Sequence, residues 1–223
     1  MVDMVISIDG PAASGKSTTA KIVAERLGLL YIDTGAMYRA VALYFQQHDI
    51  DITDFLAIEN QLDKISLSFK VIGGENRIFL NGQDVSGEIR TPEITKMSSE
   101  VATKKVVRKR MVELQRALAE NQNVILDGRD IGSIVFPNAD FKFFLTATLE
   151  SRASRRHKEL VEKGVEADLD DIKQDLIWRD QNDSQRAESP LKVPDGAIQL
   201  NTTEMTITGQ VDFILKKIAR SFD

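Results

Sequence analysis

Eight consecutive residues, Gly10-Pro11-Ala12-Ala13-Ser14-Gly15-Lys16-Ser17, set a lysine and a hydroxyl behind a run of small side chains. The spacing G-x-x-x-x-G-K-[ST] is that of a phosphate-binding loop. Small residues let the backbone wrap tightly, so that its N–H groups converge on phosphate oxygens, and the following helix start adds a positive dipole end. In such a loop Lys16 supplies a point charge to β- and γ-phosphates. The Ser17 hydroxyl is placed to ligate Mg²⁺, an ion that keeps several waters and needs few protein ligands. The expected ATP contacts are Gly10, Pro11, Ala12, Ala13, Ser14, Gly15, Lys16, Ser17 and Thr18.

The arginines form the second chemical signal. Fourteen of the 29 basic residues are arginine. Arg39 follows Asp33-Thr34-Gly35-Ala36-Met37-Tyr38, and Arg129 lies in Asp127-Gly128-Arg129-Asp130 beyond a predicted strand. Arg155 and Arg156 are adjacent, and Arg179 and Arg186 bracket the polar stretch Asp180 to Gln185. Arginine suits bidentate phosphate recognition and transition-state clamping. Four such sites exceed the needs of one triphosphate and point to a second phosphorylated substrate. Taken singly, each fits a solvated helix face equally well, and Arg110, Arg116 and Arg152 are assigned to that class.

The elements that must hold these groups alternate. Met4 to Asp9 reads as a strand buried on both faces. From Gly15, apolar residues at Ala20, Val23, Ala24 and Leu27 trace one helical stripe, which Gly28 stops. Leu29 to Asp33 reads as a strand, Gly35 to Gln47 as a helix and Ile52 to Leu62 as a weaker helix. From Ile65 the period changes to two. Gly73-Gly74 and Asn81-Gly82 mark turns of a small antiparallel insertion over residues 65 to about 90. Thr95 to Ala119 is helical with one possible break. Strands follow at Val124 to Asp127, Phe141 to Leu145 and Ala197 to Leu200, with helices at Leu149 to Lys163, Asp168 to about Arg179 and Thr206 to Arg220. This alternation predicts an α/β fold with a parallel sheet covered on both faces. Ligands of such sheets bind beyond the strand ends, where both Lys16 and Arg129 fall.

Composition narrows the class. The chain has 223 residues, 42% hydrophobic and 28% charged, and no cysteine, which excludes thiolate metal sites and cysteine nucleophiles. A formal net charge of −5 argues against nucleic acid as a partner. No apolar run approaches ~20 residues and the start has no signal-peptide pattern, so a cytoplasmic protein without membrane association is expected. The Asn-Lys-x-Asp sequence of a guanine reader is absent. A small kinase and an ATP-switched binding module remain open.

With the phosphate loop, Tyr31-Ile32-Asp33-Thr34-Gly35-Ala36-Met37-Tyr38-Arg39, Asp127 to Pro137 and Arg186-Ala187-Glu188-Ser189-Pro190-Leu191 in view, the chain resembles the bacterial cytidylate kinases over nearly its whole length. The resemblance implies transfer of the γ-phosphoryl group of ATP to CMP or dCMP by a monomer. It implies a P-loop NTPase fold: a five-stranded parallel sheet flanked by helices, with the antiparallel insertion and a helical lid. A single domain is implied, with core 1–64 and 91–223, insert about 65–90 and lid about 150–168. Carried over by motif, Thr34, Tyr38, Arg39, Arg129 and Arg179 surround the acceptor phosphate, while Ser99 (or Ser98), Arg108 and Asp130 read the cytosine. Asp183 and Arg179 lie near the sugar. Arg186, Arg155 and Arg156 approach the transferred group and form, with Lys16 and Arg129, the implied catalytic set.

The chemistry of these residue types fits that reading. Cytosine offers an amino donor to a carboxylate such as Asp130, and acceptors to a guanidinium such as Arg108. Uracil reverses the matching groups and leaves buried polar atoms unpaired. The alternative for Asp130 is a carboxylate that only orients Arg129. Asp33 and Asp127 could each hold a metal-bound water or act as structural carboxylates. A phosphate acceptor needs no strong base, so His48 and His157 are read as exposed and non-catalytic. The helix from Arg155 to Lys163, ending at Gly164, is the expected lid.

Overall fold

A computed structural model describes residues 4–162 and 164–221. The chain divides into two compact units: Met1–Tyr31 with Gln122–Asp223, and Ile32–Asn121. The main sheet has five strands: β1 (Val5–Asp9), β2 (Leu30–Asp33), β6 (Val124–Gly128), β7 (Phe141–Thr146) and β8 (Ile198–Asn201). Their order is β2-β6-β1-β7-β8. β1 runs parallel to β6 on one side and β7 on the other, with Asp9 opposite Gly128 and Phe144. The register sets the start of the phosphate loop beside the start of the Gly128-Arg129-Asp130 turn.

Within the first unit, Ile6, Ser7, Ile8 and Asp9 are all fully buried, as expected of a central strand in a parallel sheet. Helices α1 (Lys16–Leu27) and α8 (Ile207–Ala219) cover the sheet through Ala20, Val23, Val211, Ile214 and Ile218, which pack with Ile6, Ile8, Ile125 and Phe143. Gly28 caps α1 in the left-handed conformation (φ 65°) and donates to the carbonyls of Ala24 and Glu25. Helices α6 (Leu149–Glu162) and α7 (Leu169–Gln185) pack Ala153, Ile172 and Leu176 against Ala12 of the phosphate loop in a smaller apolar cluster.

The second unit holds helices α2 (Thr34–Gln47), α3 (Phe55–Leu62), α4 (Pro92–Val101) and α5 (Lys105–Leu118). It also holds an antiparallel sheet of β3 (Leu67–Ile72), β4 (Glu75–Leu80) and β5 (Gln83–Asp84). Asn81 and Gly82 both have positive φ, 49° and 85°, as a tight β4–β5 turn requires. The expected long helix is broken once, at residues 102–104.

Two expectations are corrected. The helix beginning after Asp168 does not end near Arg179 but continues to Gln185, so Asp180 and Asp183 are helical. Arg152 is not solvated: only 6% of it is exposed. The expectation that α6 includes Lys163 falls outside the described residues.

Candidate active site

The phosphate loop joins β1 to α1. Gly15 has φ 92°, and no side chain caps the start of α1, which leaves its backbone donors directed into the loop. A Cβ on Gly15 would stand 2.8 Å from Gln210 Oε1. Gln210, fully buried on α8, accepts from Thr19 Oγ1 at 2.8 Å and holds this approach. Lys16 is buried and donates to the Pro11 carbonyl at 2.8 Å. Ser14 is buried, and among the described residues its Oγ has no hydrogen-bond partner. Ser17 and Thr18 are exposed.

Burial pulls the Lys16 ammonium well below the ordinary lysine value, and the charge of Arg129 acts the same way; Asp127, Asp183 and Asp9 oppose them. Burial also pushes Asp9 up to about 6, against the hydrogen bonds from Gly132 and Ile131. Asp127, at the end of β6, accepts from Ser17 Oγ at 2.6 Å and from Tyr31 Oη at 2.8 Å. Because Ser17 gives its proton to Asp127, its oxygen keeps its lone pairs for a further ligand. That donor set fits a hard cation completed by water and phosphate oxygens. Among the described residues no group of three His, Cys, Asp or Glu could hold a metal alone.

A second group of charges lies in the same unit. Arg129 Nε donates to Asp183 Oδ2 at 2.6 Å, and Arg186 Nη1 lies 3.6 Å from Asp183 Oδ1. Arg186 Nη2 is 3.7 Å from Asp130 Oδ1, with both side chains over nine-tenths buried. Burial acts to raise Asp183, but Arg129 and Arg186 outweigh it and hold the carboxylate below its usual range. Arg179 pairs with Asp175 at 3.0 Å, yet its Nε is buried without a hydrogen-bond partner among the described residues. Burial lowers its pKa, opposed by Asp175 and reinforced by Arg156 and Arg129. A buried, unsatisfied donor among like charges is the environment an anion relieves.

Helix α6 carries three arginines with different partners. Arg152 forms a two-point pair with Asp180, at 3.1 and 2.6 Å, and donates to the carbonyls of Ala12 and Ala147, each at 3.2 Å. It ties α6, α7 and the phosphate loop together. Arg155 donates to Thr202 Oγ1 at 3.0 Å and to the carbonyls of Thr202 and Thr203. Thr202 Oγ1 in turn donates to the Ser14 carbonyl at 2.9 Å. Arg156 pairs with Glu159 at 2.9 Å.

The remaining expected site residues belong to the second unit. Asp33 caps α2 by accepting from Ala36 N at 2.8 Å and pairs with Arg39 at 3.3 Å, so its structural role is the one observed. Arg108 is 3% exposed, lies 5.7 Å from the Tyr38 ring centre and donates to the Ala102 carbonyl at 3.2 Å. Thr34 is buried. Ser98 and Ser99 both donate to the Thr95 carbonyl, at 2.8 and 3.4 Å. His48 is exposed and stacks on Tyr44, while His157 is half-buried.

Sequence reasoning missed Tyr31, Gln210 and Thr202 as supports of the site. Their partners lie 96, 191 and 188 residues away, and no local pattern announces them.

The cytidylate kinase family description matches residues 6–220. A cytidylate kinase of Lactobacillus johnsonii is 51% identical over 204 residues, covering 92% of this chain and 89% of its own. One from Fusobacterium nucleatum is 48% identical over 220 residues, covering 99% of both. A crystal structure of an uncharacterized protein from Eubacterium ventriosum shares the fold, with TM-score 0.53 and 13% identity over 97% of this chain and 99% of its own.

Proposed function

The chain belongs to the cytidylate kinase family, and we propose that it moves the γ-phosphoryl group of ATP to CMP or dCMP, giving ADP and CDP or dCDP, with Mg²⁺ as the metal. It is an enzyme, a nucleoside monophosphate kinase. The observation that carries the reading is the first unit's cation set: Lys16 buried in a phosphate loop, and Arg179 with a buried, unsatisfied Nε beside Arg129. One loop for a donor phosphate and further arginines for an acceptor phosphate match a two-nucleotide reaction.

Phosphoryl transfer needs alignment and charge neutralisation more than covalent help. The loop from Gly10 to Thr18 is assigned to the ATP phosphates, with Lys16 on the β- and γ-oxygens. Bound with the nucleotide, Mg²⁺ neutralises phosphate oxygens; Ser17 is its proposed ligand, and Asp127 fixes the direction of the Ser17 proton. Arg129, Arg155, Arg156 and Arg186 are assigned to the charge that spreads over the transferred group. For Arg155 this means leaving Thr202 and Thr203. Arg179 and Asp183 are assigned to the acceptor phosphate and sugar, and Asp130 to the cytosine amino group. In the second unit Thr34, Tyr38, Arg39, Ser99 and Arg108 are assigned to the nucleoside monophosphate. Residues about 150–168 are proposed to close as a lid that keeps water from the γ-phosphate. We take the chain to act as a cytoplasmic monomer; among the described residues no helix is long and apolar enough to cross a membrane.

ADP release measured across CMP, dCMP, UMP and AMP tests the proposal. Turnover is expected with CMP and dCMP, and at least about tenfold less with UMP, because the wrong base edge leaves buried groups unpaired. Equal rates with UMP or AMP would remove the base assignment.

A further inference from the structure

Between β6 and β7 the chain makes a single π-helical turn, Ile131–Val135. Asp130 occupies its N-cap position, yet the Asp130 side chain makes no capping hydrogen bond. Buried donors at a helix start require acceptors. Here Ile131 N donates to Asp9 Oδ1 and Gly132 N to Asp9 Oδ2, both at 2.8 Å. Asp9 is fully buried, ends β1 and directly precedes the phosphate loop. A carboxylate from the neighbouring strand thus does the work that Asp130 would ordinarily do for its own turn. The Asp130 carboxylate lies instead 3.7 Å from Arg186 Nη2.

The turn is also held by contact. A Cβ on Gly132 would stand 2.7 Å from Ser7 Oγ, 3.1 Å from Lys142 Cδ and 3.1 Å from Pro194 Cγ. These contacts limit how far the turn can shift towards β1, while the two hydrogen bonds oppose its moving away. Strand pairing opposite Gly128 completes the constraint.

We propose that Asp9 is a positioning residue for the acceptor: by capping the Ile131–Val135 turn from β1, it relieves Asp130 of that duty and fixes Arg129 and Asp130 relative to the phosphate loop. The inference rests on the assignment of Arg129 and Asp130 to CMP given above. Asp9 touches no substrate in this scheme; besides its charge interaction with Lys16, it acts on the acceptor side through two backbone N–H groups.

The test is Asp9→Asn, which keeps the size but turns one acceptor into a donor facing an N–H. Amide hydrogen exchange at Ile131 and Gly132 is expected to quicken about tenfold, and the Kd for CMP to rise about tenfold, as for loss of one charge-assisted hydrogen bond. Binding of a non-hydrolysable ATP analogue, followed by calorimetry, is expected to weaken less than CMP binding, because there only the charge interaction of Asp9 with Lys16 is lost. Unchanged exchange, unchanged CMP binding, or equal weakening of both nucleotides overturns the inference. If Asp9→Asn gives no folded protein, Asp9→Ser replaces it; failure of both means that Asp9 serves the whole fold and not this turn. If the unmodified protein binds no CMP, the functional reading fails and takes this one with it. If it binds CMP and the variant behaves as unmodified, only the role of Asp9 falls.

Discussion

Lys16 illustrates how a single residue can be tuned by its surroundings. Burial and the Arg129 charge favour its neutral form, so its proton is held less tightly than the ordinary value of 10.5 implies. Polyphosphate binding reverses this by adding negative charge, and the pKa rises. The sign follows: between the lowered value and the raised one, binding takes up a proton, and nucleotide affinity falls as pH rises. Calorimetry at about pH 9 in buffers of different ionisation heat should show uptake of up to about one proton with an ATP analogue. Lys16→Met should abolish both the uptake and turnover. A buffer-independent heat in the unmodified protein would show that Lys16 does not change its protonation on binding.

Among the elements, α6 and α7 depend on a pair that the sequence hides. Arg152 and Asp180 are 28 residues apart, and only 7% of the Arg152 side chain is exposed. Replacing Arg152 by Met would strand the Asp180 carboxylate and the Ala12 and Ala147 carbonyls. We expect a loss of about 2–4 kcal/mol in denaturant unfolding, along with poorer ATP binding through the disturbed Ala12. A change under about 0.5 kcal/mol would return Arg152 to the solvated class. The same pair explains what could be read beforehand. The apolar strands and the stripe of α1 announce themselves because burial repeats with the period of the backbone. The last turns of α7, Asp180 to Gln185, show no such repeat; long-range pairs from Asp180 to Arg152 and from Asp183 to Arg129 accompany the helix there. Asp9 was hidden for a related reason: at the end of an apolar run, nothing local shows that two N–H groups 122 and 123 residues away need it. The phosphate loop was legible because its chemistry is contiguous in sequence.

For the whole molecule, a net charge of −5 coexists with a cationic site, so anions must be drawn in locally and not by a general field. Binding to the folded state alone stabilises it by mass action. At about a hundredfold excess over Kd, one ligand contributes about 2.7 kcal/mol, which for a chain of this length raises Tm by about 5–10 °C. An ATP analogue and CMP should each produce such a shift in a thermal melt, and UMP at the same concentration a clearly smaller one. Equal shifts for CMP and UMP would locate discrimination outside ground-state binding.

The crowding at the end of β1 bears on inheritance as well as on chemistry. A Cβ at Gly10 would stand 2.1 Å from the Leu145 carbonyl oxygen, and Gly132 is hemmed in on three sides. Gly73 and Gly82, by contrast, have open space around them. Random mutagenesis under selection for growth should therefore recover asparagine readily at the two hairpin sites and nothing but glycine at positions 10 and 132.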